Sequence, residues 1–82
     1  MVKKYIMVFA SNSQAAFIYN ELDKIGINIE LVSTPAEILK GCTKSIIYDS
    51  KDNDVVINEV KKIGAIIKGI YTINNQNKYV KA

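Results

Sequence analysis

Asn20-Glu21-Leu22-Asp23-Lys24-Ile25-Gly26-Ile27-Asn28-Ile29 and Asn58-Glu59-Val60-Lys61-Lys62-Ile63-Gly64-Ala65-Ile66-Ile67 repeat one pattern at a spacing of 38 residues. Each copy reads as the end of a helix, a glycine stop and the start of a strand. Gly26 and Gly64 stand just after the last apolar helix positions, where a left-handed C-terminal residue belongs. In the same alignment Thr34 falls opposite Thr72. The chain is therefore built from two copies of one supersecondary unit.

Extending each copy backwards completes the unit. Tyr5 to Ala10 is a short apolar run suited to a buried strand, and Ser11 can cap a helix with Gln14 in the reciprocal position of a capping box. Ala15, Ile18, Leu22 and Ile25 recur at helical spacing and form one face. Asn28 to Ser33 reads as the second strand and Ser45 to Asp49 as the third. Asp52 or a neighbour caps the second helix, whose inner face is Val56, Val60 and Ile63. The helices are expected near residues 12–25 and 53–63. Ile66 to Ile73 closes the unit as the fourth strand, and the polar residues 74–82 read as a frayed or loosely attached tail.

The order βαββαβ, with right-handed crossovers in each half, predicts a single ferredoxin-like α+β domain over residues 1–82. Both helices are expected on one face of a four-stranded antiparallel sheet. Strands two and three are placed at opposite edges, so residues 35–42 cross one end of the sheet. That crossing has room for one helical turn at Ala36 to Leu39, with Pro35 in its first position.

Composition narrows the chemistry. At 82 residues the chain is near the size at which one hydrophobic core suffices without staples. It contains no histidine, so a nucleophile activated by imidazole is excluded, and one cysteine without histidine leaves no zinc or iron–sulfur ligand set. No internal disulfide can form, which fits a cytoplasmic location. The four glycines are too far apart for the common phosphate-binding loops. No cofactor and no metal are expected.

The formal charge of +3 comes from lysine alone, without the arginine forks preferred for phosphate and guanine recognition. The N-terminal apolar run, Tyr5 to Ala10, is shorter than a secretory core segment and reads as a strand. No stretch approaches a membrane span.

The one chemically pointed segment is Thr34-Pro35-Ala36-Glu37-Ile38-Leu39-Lys40-Gly41-Cys42-Thr43, which holds the only proline and the only cysteine. Gly41 supplies a flexible backbone before the thiol, and Lys40 and Lys44 supply cations, the local ingredients of a stabilised thiolate. The plainer reading of Cys42 is a small buried hydrophobe at the start of strand three. Lys40 and Lys44 read more readily as solvated loop and strand-edge charges than as anion ligands, and Glu37 as a first-turn carboxylate rather than a general base.

With this loop in view, the chain resembles the small bacterial family of selenium/sulfur carrier protein-like domains. The likeness rests on the first strand followed by polar Ser11 to Gln14, on Thr34-Pro35 and Gly41-Cys42, and on the closing Gly69-Ile70-Tyr71-Thr72-Ile73. It covers roughly residues 3–73. The family pattern has arginine after the loop proline and glycine after the cysteine, where this chain has Ala36 and Thr43. The resemblance implies that Cys42 holds a persulfide-type adduct for delivery to a partner. Gly41, Lys40, Lys44 and Pro35 support it, and a cysteine desulfurase or selenophosphate synthetase serves as partner.

Two other classes compete. Ferredoxin-like sheets bind single-stranded RNA through aromatics on their central strands, here Tyr5, Phe9 and Tyr48. The third strand, Lys44-Ser45-Ile46-Ile47-Tyr48-Asp49, lacks the RNA-binding signature, so no nucleic-acid partner is expected. Apolar residues at almost every position of strands one and four, facing an uncovered side of the sheet, point instead to a homodimer or docking module with a structural Cys42.

Overall fold

The computed structural model describes residues 3–74, 76 and 78–82. The elements run β1 (Lys4–Phe9), α1 (Asn12–Lys24), β2 (Ile29–Ser33), β3 (Lys44–Asp49), a 3-10 turn (Ser50–Asp52), α2 (Asn53–Ile63), β4 (Ile67–Ile73) and β5 (Tyr79–Lys81). One antiparallel sheet has the order β2-β3-β1-β4-β5. This is the ferredoxin-like order with a fifth strand added outside β4.

Both repeats end as their glycines require. Gly26 has φ +86° and Gly64 φ +79°, conformations a side chain disfavours. At the end of α1, Gly26 N–H donates to Asp23 O and Ile27 N–H to Leu22 O, the paired bonds that satisfy the last carbonyls of a helix. Ile25 departs from the expected helical face. It sits at the cap, at φ −91° and ψ 6°, where the helix has already ended, and is 57% exposed.

Alternation along β1 divides the sheet into two faces. Met7 and Phe9 join Ala15, Ile18 and Leu22 of α1, Val56 and Val60 of α2, and Ile46 and Tyr48 of β3 in one buried cluster. Both helices therefore cover the same face. On that face Tyr5 meets Tyr48 edge-on, and the Tyr48 hydroxyl donates to Asn53 Oδ1 at 2.8 Å. Phe9 and Tyr48 are fully buried and present no surface to a stacked base.

The other face is less open than its apolar sequence implies. Ile6 is 4% and Val8 0% exposed although neither belongs to the helix-covered cluster. Gly69 pairs with Val8 and Tyr71 with Ile6, and the Tyr71 ring folds back over Gly69. A Cβ on Gly69 would lie 2.9 Å from that ring. At the strand's start, Lys4 Nζ reaches Asp49 Oδ1 at 2.7 Å. The hydrogen bond to Asp49 raises the Lys4 ammonium above its ordinary value.

Two expectations about connections are corrected. β2 and β3 are not at opposite edges but neighbours, in register from Ile29↔Tyr48 to Ser33↔Lys44. Thr34 N–H donates to Thr43 O and continues that ladder, so the proline–cysteine segment is a hairpin connection at one end of the sheet. The tail is not loose throughout. Tyr79–Lys81 pairs with β4, and Ala82 N–H donates to Ile70 O. Asn74 organises the turn, its Oδ1 accepting from the backbone of Gln76 and Lys78, while Asn75 and Asn77 lie outside the described residues.

Candidate functional site

The hairpin loop is built from its base upward. Beyond the Thr34–Thr43 backbone bond, Thr34 Oγ1 and Ser45 Oγ lie 2.6 Å apart in a buried hydroxyl pair. Pro35 then opens one helical turn, its carbonyl accepting from Ile38 N–H at 3.0 Å and Leu39 N–H at 3.2 Å. Proline suits that place because its fixed φ matches the turn and its missing N–H goes unused there. Ile38 and Leu39 are half-buried, while Ala36, Glu37 and Lys40 are exposed.

The chain then reaches Gly41 at φ +131° and Cys42. The thiol-bearing residue is exposed and free, so the reading of Cys42 as a small buried core residue does not hold. Its carbonyl accepts a hydrogen bond from Asn12 Nδ2 at 2.8 Å, a contact between residues 30 apart. Asn12 opens α1, directly after the N-cap Ser11, whose hydroxyl accepts from Gln14 N–H. Cys42 is thereby tied to the first turn of α1.

The cations are distributed differently from the sequence expectation. Lys44 Nζ lies 3.3 Å from Ser33 Oγ, to which it donates across the β2–β3 pair, and Lys40 stands in solvent. Among the described residues no hydrogen bond joins either lysine to the Cys42 sulfur. Thr43, which follows the cysteine, has a buried hydroxyl oxygen without a hydrogen-bond partner among the described residues.

The arrangement thus brings Pro35, Gly41 and Cys42 into one short loop, with Lys40 at its edge and Lys44 turned to Ser33. Asn12 was missed as a site residue. Its only sequence signal was membership of the polar stretch Ser11 to Gln14 after the first strand. A single exposed, free thiol can accept or pass on an electrophilic atom.

The family model described as "Putative Se/S carrier protein-like" matches residues 4–72, from the first residue of β1 almost to the end of β4. The chain belongs to this family. The match spans both repeats and the whole Thr34–Thr43 loop. Comparison with curated proteins and with solved structures gives no match. Among the described residues no helix is long and apolar enough to cross a membrane.

Proposed function

We propose that this member of the Se/S carrier protein-like family is a small cysteine-dependent carrier in which Cys42 takes sulfur or selenium and hands it to a partner enzyme. The observation that carries the reading is an exposed, free Cys42 within a chain of this family. For sulfur, the Cys42 thiolate attacks the outer sulfur of a persulfide on a cysteine desulfurase. A new S–S bond forms at Cys42, the S–S bond on the donor breaks, and the donor cysteine leaves as thiolate. The outer sulfur then passes to a nucleophile of the acceptor by the same exchange.

In this reading each loop residue has a limited role. Pro35 sets the turn that lifts the loop from the sheet, Gly41 leaves the approach to the thiol unobstructed, and Lys40 and Lys44 supply positive charge near an anionic donor. An exposed free thiol keeps this function only where it is not oxidised, which agrees with a cytoplasmic protein. The partner class is a cysteine desulfurase or, for selenium, a selenophosphate synthetase.

The test is direct. Incubation with a cysteine desulfurase and free cysteine is expected to add one sulfur atom to the protein, removable by a thiol reductant and absent in Cys42→Ser. A protein that gains no sulfur from any desulfurase tried, and no selenium with a selenophosphate synthetase, sinks the carrier reading.

A further inference from the structure

We infer that Asn12 is the positioning residue of Cys42: its side-chain amide fixes the direction in which the thiol is presented to a partner. The inference rests on the carrier reading for its purpose and on the loop's backbone for its substance. After Cys42, the chain is held, because Thr43 O accepts from Thr34 N–H at 3.0 Å at the mouth of the β2–β3 ladder. Before Cys42, no backbone hydrogen bond holds Lys40 or Gly41 among the described residues. Gly41 is exposed, sits at φ +131° and would have nothing within 4 Å of a Cβ, so it is an unobstructed joint. Rotation at that joint would carry the Cys42 side chain through a range of directions.

The bond that opposes this rotation is Asn12 Nδ2 to Cys42 O, 2.8 Å long. It comes from a rigid platform. Asn12 is the first residue of a helix of 13 residues whose Ala15, Ile18 and Leu22 are fully buried in the core. The carbonyl of Cys42 and the Cα that carries the thiol belong to the same residue, so fixing one restricts the other. Transfer between two proteins needs the accepting sulfur aligned with the donor S–S bond, whereas a small probe diffusing to an exposed thiol can wait for any orientation.

The test uses the full chain with Asn12→Ala, which removes the donor, and Asn12→Asp, which keeps the size and favours a helix start but cannot donate. Backbone NMR is the readout independent of any activity. The Cys42 carbonyl shift is expected to move in both variants, and order parameters at Gly41 and Cys42 to fall from ~0.85 toward ~0.6. Alkylation of Cys42 by a small neutral probe should stay within about twofold, since the thiol is exposed already. Sulfur acceptance from a desulfurase should slow about tenfold or more.

Unchanged carbonyl shift and order in both variants would overturn the inference, as would equal sulfur acceptance by variant and parent. If the parent itself accepts neither sulfur nor selenium, the carrier reading falls alone. The NMR measurements then still decide whether Asn12 orients Cys42.

Discussion

Gln14 Oε1 accepts a hydrogen bond from Ile66 N–H at 3.0 Å, joining the first turn of α1 to the residue that leads into β4. The side chain expected to close a reciprocal capping box is thus used across the fold, and Ser11 alone caps the helix. Ala10 N–H donates to Ile66 O, so Ile66 is held by both its backbone groups. Gln14→Ala should cost roughly 0.5–1.5 kcal/mol, the net worth of one such bond. Gln14→Glu retains an acceptor and places a carboxylate in the first turn, where it is favoured. Urea unfolding at pH 7 is expected to rank Gln14→Ala clearly below both Gln14→Glu and the parent. Equal midpoints for Ala and Gln would remove this link from the account.

Where the fold was legible, the local signal and the tertiary demand agreed. Gly26 and Gly64 mark helix ends by a backbone conformation that only glycine adopts without strain, and both helices follow their apolar spacing. Ile25 has the right spacing but lies beyond the last turn, which a pattern of periods cannot see. β5 was illegible because it is held to β4 by backbone pairing and the Asn74 side chain rather than by a buried apolar face. The loop around Cys42 stood out by composition. Asn12 did not, since its partner is a backbone carbonyl 30 residues away and no residue pattern records such a bond.

Tyr48 links core packing to alkaline stability. Burial pushes its phenol well above the ordinary tyrosine value, with the neighbouring Tyr5 adding to the shift. A group whose folded pKa is raised contributes stability that is fully present below its unfolded pKa, about 10, and is lost as pH rises from there through the folded value. Lys4, raised through Asp49, acts in the same direction. Tyr48→Phe loses the bond to Asn53 and is expected to cost about 1 kcal/mol at pH 7. Above pH 10 the gap to the parent should narrow by up to ~1.4 kcal/mol per pH unit. A gap that stays constant from pH 7 to 11 would show that Tyr48 is not the titrating group.

Gly69 is a strand glycine retained by its neighbour two residues on. Replacing it with alanine sets a Cβ 2.9 Å from one Tyr71 ring carbon and 3.2 Å from its hydroxyl, so the ring must move. Removing a glycine from a strand gains roughly 0.5–1 kcal/mol of backbone entropy, and displacing the ring offsets it. Net stability is expected to change by less than about 1 kcal/mol. The methyl resonances of Val8 and Ile6, paired with Gly69 and Tyr71, should nonetheless shift as the ring current moves. Unshifted methyls would mean that the ring is not their cover.

The two lysines flanking the cysteine should separate by what they already hold. Lys44 Nζ donates to Ser33 Oγ, while Lys40 is exposed one residue before the flexible Gly41. Lys40→Glu should therefore slow Cys42 alkylation by an anionic probe by about twofold to fivefold at low salt, the range open to exposed charges. The effect should shrink in 1 M salt, where screening acts over ~3 Å. Lys44→Glu is expected to change the rate less and to lower stability instead, because the cross-strand bond to Ser33 is lost. The comparison is made with one anionic and one neutral alkylating reagent at two salt concentrations. A larger kinetic effect from Lys44→Glu than from Lys40→Glu would mean that Lys44 leaves Ser33 and serves the thiol.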